Sequence, residues 1–206
     1  MTGVQTCALP ILIVSKQQSF ADWNQSLPVG SASSRRTLQF QMQYPACTVH
    51  PIRGNVLTRL EKLDRGEYGA LILAEAGLQR LGLEHRITRR FSPAEIVPAA
   101  GQGILAVQGR AGEYTDLLQR LNDPQAAFCA KIERAVSKAL NGDCTAPIGA
   151  YADLQGEHVT LYGFYAEDGV GIKSTLTGSV TQAESLANTF AEQLKQQVQE
   201  KKEAML

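Results

Sequence analysis

The chain has 206 residues, enough for one large domain or two modest ones, each with its own core. Its 20 Lys and Arg balance its 20 Asp and Glu, so no overall field draws it to nucleic acid or to an anionic membrane surface. Any anion site must come from local clustering, and no apolar run is long enough to span a bilayer.

Residues 1–11 read as translated sequencing-adapter sequence and are set aside as a non-native segment. The pattern then predicts a strand over residues 12–15, a short helix over 20–27, an extended segment over 28–31 and a helix over 34–44 that Pro45 stops. Residues 47–52 alternate as a strand. Residues 55–68 predict a helix with Leu57, Leu60 and Leu63 on one face. A buried strand over 70–74 and a short helix over 77–82 complete an α/β unit with a mostly parallel or mixed sheet. Beyond Pro98 the pattern predicts a Gly101-Gln102-Gly103 turn, a strand over 104–108 and a helix over 114–121. Asp123 caps a long helix through Leu140 with Pro124 at its first position. Three antiparallel strands (148–154, 159–165, 172–178) and a final helix capped by Thr181 make a small α+β unit. That helix carries its apolar stripe on Ala183, Leu186, Phe190, Leu194 and Val198.

Two features carry chemistry. The first is a local basic excess of Arg35, Arg36, Arg53, Arg59, Lys62 and Arg65, opposed only by Glu61 and Asp64. Gly30-Ser31-Ala32-Ser33-Ser34 stands at a strand-to-helix junction, where free N–H groups and hydroxyls suit an anion. Arg35 and Arg36 follow in the first helical turn, where cations oppose the helix dipole unless an external anion compensates. A plain N-cap at Ser33 with solvated surface arginines explains the same residues equally well. The second feature is Cys144, set between Gly142 and Pro147 on a loop after a long helix. A loop thiol can act as a nucleophile, although a lone cysteine is more often buried and inert. The four cysteines, Cys7, Cys47, Cys129 and Cys144, show no C-x-x-C pair, and no His completes a familiar zinc pattern. With no secretory leader in sight, a cytoplasmic protein with reduced thiols and no metal is expected.

These residues fall into motifs that resemble the hydroxymethylbilane synthase (porphobilinogen deaminase) family. Ile52-Arg53-Gly54-Asn55-Val56, Thr58-Arg59-Leu60 and Lys62-Leu63-Asp64 are similar to the family's RGNV-x-TRL-x-KLD run. Ala76-Gly77-Leu78-Gln79-Arg80-Leu81-Gly82, Pro98-Ala99-Ala100-Gly101-Gln102-Gly103, Glu133-Arg134-Ala135 and the Cys144 loop follow in the family's order. The resemblance runs from about Ile13 to the C-terminus. It implies an enzyme of tetrapyrrole (heme) biosynthesis that condenses four porphobilinogen molecules into the linear hydroxymethylbilane, releasing ammonia at each step. It also implies a dipyrromethane cofactor held as a thioether on Cys144. Arg35, Arg36, Arg53, Arg59 and Arg80, helped by Ser31 and Ser33, would bind the carboxylates of cofactor and growing polypyrrole. Gln102 would lie at the crossing between the family's first two domains.

The resemblance further implies a periplasmic-binding-protein-like second domain over residues 12–103 and a segment over 104–122 that belongs to a first domain lying upstream. A C-terminal cofactor-attachment domain would span 123–206. The family's catalytic aspartate would sit in that upstream part, so no catalytic residue is expected in this chain and the fragment alone is expected to be inactive. The complete protein would be a monomer. A non-catalytic anion-binding module on the same fold, or a regulatory or scaffold fragment, are the competing expectations. Two departures stand out: Ala32 where the family has a hydroxyl residue, and Asp143 beside the thiol, which would raise its pKa.

Overall fold

The computed structural model describes residues 10–14, 19, 23–141 and 146–205. The N-terminal unit is a five-stranded sheet in the order β3-β2-β4-β1-β5. Its strands are β1 (Pro10–Val14), β2 (Val29–Ser31), β3 (Val49–Pro51), β4 (Ala70–Ala74) and β5 (Arg89–Arg90). β2 runs parallel to β3 and β4, whereas β1 is antiparallel to both its neighbours, so the sheet is mixed. The pleat sends Leu12, Val29 and Ile72 to one core with Phe40, Phe91 and Ile96. It sends Ile11, Ile13, Leu71 and Leu73 to the other, against Leu60, Leu63 and Leu78. Strands covered on both faces have no polar side to show, which is why β4 reads as an unbroken apolar run.

Several boundaries differ from the sequence pattern. β1 begins at Pro10 and runs across the division drawn after residue 11: Pro10 and Ile11 pair with Ala74 and Leu73, and Ile11 is fully buried. An apolar residue that continues the pleat is accommodated by the sheet whatever its origin. Residues 23–27 form a turn rather than the end of a helix, because the Asn24 side chain accepts from the Ser26 N–H and hydroxyl and draws the backbone into a local loop; residues 20–22 lie outside the described residues. Helix α1 (Ser34–Gln43) ends as expected, but α2 (Val56–Asp64) stops four residues early. There the Gly66 and Glu67 N–H groups turn back onto the Leu63 and Lys62 carbonyls. Helix α3 occupies Glu75–Gln79, earlier than predicted, directly off β4. Residues 104–108 form no strand, having no neighbouring strand to complete their hydrogen bonds among the described residues.

The C-terminal unit follows α4 (Thr115–Leu121). Helices α5 (Pro124–Ala139) and α6 (Ala183–Glu203) pack on one face of an antiparallel sheet in the order β6-β7-β8. Its strands are β6 (Gly149–Gln155), β7 (His158–Glu167) and β8 (Val170–Ser179). Asp168 and Gly169 both have positive φ, the backbone of a two-residue hairpin whose twist matches the flanking strands. Asp123 caps α5, accepting from Gln125 N and Ala126 N as the sequence predicts. The cap before α6 differs: Ser179, not Thr181, accepts a backbone N–H and opens a 3₁₀ turn over Val180–Gln182 ahead of the helix.

A strap over residues 96–102 joins the two units. Gln39 of α1, fully buried, accepts from Val97 N at 2.7 Å and donates back to Val97 O at 3.1 Å. On the other side Ala150 N of β6 donates to Pro98 O at 2.9 Å. Close approach of Gly149 makes this possible, since a Cβ there would lie 2.9 Å from both Val97 Cβ and Val97 O. Backbone cannot swing aside as a side-chain tip can. Gly149→Ala should therefore cost about 1–3 kcal/mol of stability, read as a lower urea midpoint, and an unchanged midpoint would mean the strap is not held there.

Candidate anion-binding site

The site grows from the β2–α1 junction. Ser31, buried at the end of β2, exchanges hydrogen bonds through its Oγ with Ser33 N and Ser33 O, both at 3.3 Å. Ser33 caps α1, its Oγ accepting from Arg36 N at 3.4 Å. No acidic residue stands in the first turn of α1, where acids favour the dipole; Arg35 and Arg36 stand there instead.

Arg35 is 6 % exposed. Its Nη1 donates to Val97 O and its Nη2 to Gln102 Oε1 at 3.0 Å. Arg36 Nη2 donates to the same Gln102 oxygen at 3.1 Å, while its Nε is enclosed with no hydrogen-bond partner. Burial, and then the neighbouring Arg36, push the Arg35 guanidinium down to about 9. Burial and then Arg59 push Arg36 down to about 10. Both stay charged at neutral pH. Among the described residues no carboxylate pairs with Arg35, Arg36, Arg53, Arg59 or Arg80. Ion pairs among the described residues lie elsewhere, for example Arg86 with Asp64 at 2.7 Å and Arg90 with Glu75 at 2.7 Å.

The structure thus brings Ser31, Ser33, Arg35 and Arg36 together, with Arg59 close enough to act on Arg36. Arg59 is half-buried and anchored by its Nε on Gly54 O at 2.8 Å. Arg53 is exposed two residues beyond β3, and Arg80 is exposed at the C-cap of α3. Cys144 lies outside the described residues. The two described cysteines, Cys47 and Cys129, are buried, and burial pushes the Cys47 thiol up.

Two participants go beyond what the sequence suggests: Gln102 is expected there only at a crossing between domains, and Glu133 only as part of a motif. Gln102 bridges the arginine pair. Glu133, 3 % exposed on α5, accepts from Gly101 N at 2.7 Å and from Ala152 N at 3.0 Å. A signal for Glu133 was present: it shares the buried stripe of α5 with Cys129, Ile132 and Val136, where a carboxylate must have partners. Burial pushes its pKa up to about 7 against the two N–H bonds that lower it. An acid whose folded pKa lies above its ordinary value of 4.5 binds its proton more tightly folded than unfolded. Its stabilising contribution is present below pH 4.5 and is lost as pH rises to about 7. Stability should fall by roughly 3 kcal/mol across that window. In urea titrations the difference between the wild type and Glu133→Gln should carry that slope, and parallel curves would refute it.

An α/β unit, with an arginine pair that no carboxylate of the described residues compensates at its strand-to-helix junction, is strapped to an α+β unit. Comparison with known families is specific. The family described as porphobilinogen deaminase, dipyromethane cofactor binding domain, matches residues 7–117, more than half of the chain, and porphobilinogen deaminase, C-terminal domain, matches residues 127–196. The chain belongs to the porphobilinogen deaminase family. It is 50% identical over 182 residues to the porphobilinogen deaminase of Acetivibrio thermocellus, covering 88% of this chain and 62% of that protein. Against the porphobilinogen deaminase of Alkaliphilus oremlandii identity is 44% over 198 residues, 91% of this chain and 67% of the relative. Against that of Ruminiclostridium josui it is 45% over 170 residues, 79% and 58%. The chain therefore spans about three fifths of the length of the curated relatives it matches. No helix among the described residues is long and apolar enough to cross a membrane.

Proposed function

We propose that this chain is part of a hydroxymethylbilane synthase, a transferase that joins four porphobilinogen molecules head to tail with release of ammonia. The observation that carries the reading is the enclosed, partnerless Nε of Arg36 beside Arg35 and Arg59. A buried guanidinium without a carboxylate is costly unless a ligand supplies the anion, and arginine forks fit carboxylates. Each pyrrole of substrate and cofactor carries an acetate and a propionate, so the ligand offers carboxylates in series. Ser31, Ser33, Arg35, Arg36 and Arg59 would hold them in place, with Arg53 and Arg80 reaching in from exposed positions.

A dipyrromethane attached through Cys144 fits this donor set, since it is itself a polycarboxylate. When bound it supplies the primer to which substrate pyrroles are added. The residues of this chain bind and orient carboxylates, and Arg35 and Arg36, charged at neutral pH, balance the charge that accumulates as the polypyrrole lengthens. No carboxylate of the described residues pairs with these five arginines, so the proton-transferring aspartate is assigned to the part of the longer relatives that this chain does not span. The N-terminal sheet would then form one half of a binding-protein-like cleft, in a cytoplasmic, monomeric enzyme.

Residues 104–122 belong with that further part. Leu105, Val107, Leu117 and Leu121 are all more than half exposed, and Leu105, Val107 and Leu121 border a cavity of about 790 Å³ between the coil after Gly103 and helices α4 and α5. The test is a porphobilinogen-consumption assay on the 206-residue chain and on a full-length version. The full-length protein should release linear tetrapyrrole and the chain alone should not. Turnover by the chain alone would show that its proton-transfer group has been misassigned, and an inactive full-length protein that carries no adduct would overturn the reading.

A further inference from the structure

We infer that Glu133 is the positioning residue of the arginine pair, acting through Gly101 and Gln102, so that the C-terminal unit sets the geometry of the anion site. The arginines' role toward a ligand rests on the function proposed above, but the relay itself exists without a ligand.

Arg35 and Arg36 carry like charges on adjacent residues, and the charge of Arg36 weakens the hold of Arg35 on its proton. What holds their guanidinium groups side by side is one oxygen, Gln102 Oε1, which accepts from both. Displacing that oxygen would leave both Nη2 groups without this acceptor and let the two cations separate. Gln102 sits in a turn whose backbone hydrogen bonds to itself are local: Gln102 N donates to Ala99 O and Ile104 N to Gly101 O. Local turns define a shape but not a place. Beyond the Ala150 N–Pro98 O bond that holds the strap, the turn itself is tied to the C-terminal unit by Gly101 N on Glu133 Oε2, at 2.7 Å. The second carboxylate oxygen is fixed by Ala152 N of β6, itself inside the antiparallel sheet. One buried carboxylate thus connects α5, β6 and the residue beside the one that aligns the arginines.

Side-chain chemistry explains why glutamate serves here. The contact requires acceptance from two N–H groups on different segments, and a carboxyl group can accept through both oxygens. A glutamine of the same size offers one oxygen and one NH2, so either Gly101 N or Ala152 N would face a donor. Were Glu133 merely a satisfied core residue, that conflict would lower stability and stop at the two amides. In a relay it reaches Gln102 and both arginines.

The experiment compares ¹⁵N-labelled wild type with Glu133→Gln, and with Glu133→Met, which fills similar volume with no polar atom to misplace, should the glutamine variant not fold. In either variant the Gln102 side-chain amide and the Arg35 and Arg36 Nε–H resonances should shift along with Gly101 and Ala152. Porphobilinogen affinity, measured by calorimetry, should fall about tenfold. In a Gln102→Ala background the Glu133 substitution should have no further effect on affinity, although its effect on stability persists. Shifts confined to Gly101, Ala152 and their immediate neighbours would overturn the inference, as would an undiminished affinity loss in the Gln102→Ala background. If the wild-type chain binds no porphobilinogen, the functional reading falls, and the resonances still decide the relay.

Discussion

Cys144→Ser should abolish covalent cofactor in the full-length protein. Expressed in cells that make porphobilinogen, the wild type should have an intact mass exceeding its sequence mass by one dipyrromethane, and the variant should match its sequence mass. A serine hydroxyl is a far weaker nucleophile at neutral pH than a thiol with appreciable thiolate. Cys47→Ser and Cys129→Ser are the controls. Both side chains are buried, at 4 % and 0 % exposure, and burial disfavours the thiolate, so neither substitution should affect the adduct. Asp143→Gly should speed capture, because removing a carboxylate beside the thiol lowers its pKa. An active wild type with an unmodified Cys144, or an adduct that survives in Cys144→Ser, would sink the assignment.

The elements with strong periodicity were legible in the sequence. β4 is an unbroken apolar run, α6 repeats its stripe at helical spacing, and Asp123-Pro124 marks the start of α5 to the residue. What the sequence hid depends on contacts between distant segments. The antiparallel setting of β1 cannot be told from a parallel one by five apolar residues, because both settings bury both faces. Residues 104–108 have the composition of a strand but no ladder to join among the described residues. The site divides in the same way. Arg35 and Arg36 are conspicuous as cations in a first helical turn, and their motif led to them directly. Arg53 looked as prominent, yet it is exposed, while the buried member of the set is Arg35. Gln102 and Glu133 gain their roles from hydrogen bonds spanning 66 and 32 residues of chain, and no local pattern encodes a partner that far away.

Arg36→Leu should separate binding from stability. Arg35 uses its donors on Val97 O and Gln102 Oε1, so it holds the strap as well as a charge. Arg36 gives one bond to Gln102, leaves its Nε unpartnered, and is crowded by the charges of Arg35 and Arg59. Replacing it with leucine removes a half-buried cation whose Nε is enclosed and which no carboxylate of the described residues compensates, a change that is often neutral or stabilising. The urea midpoint should stay level or rise. Porphobilinogen binding should weaken by on the order of 2–5 kcal/mol, the usual cost of losing one partner of a desolvated charged pair. Arg35→Leu should lose binding and stability together, since Val97 O and Gln102 Oε1 each lose one of their two donors, at about 1.5–3 kcal/mol for a hydrogen bond to a charged group. Arg65, exposed and paired with Glu67 at 2.8 Å, is the control: Arg65→Leu should leave binding alone and change stability by about 0–1 kcal/mol. Equal binding losses for Arg36→Leu and Arg65→Leu would show that the enclosed guanidinium does not meet the ligand. A midpoint that falls as far in Arg36→Leu as in Arg35→Leu would make Arg36 part of the scaffold rather than of the site.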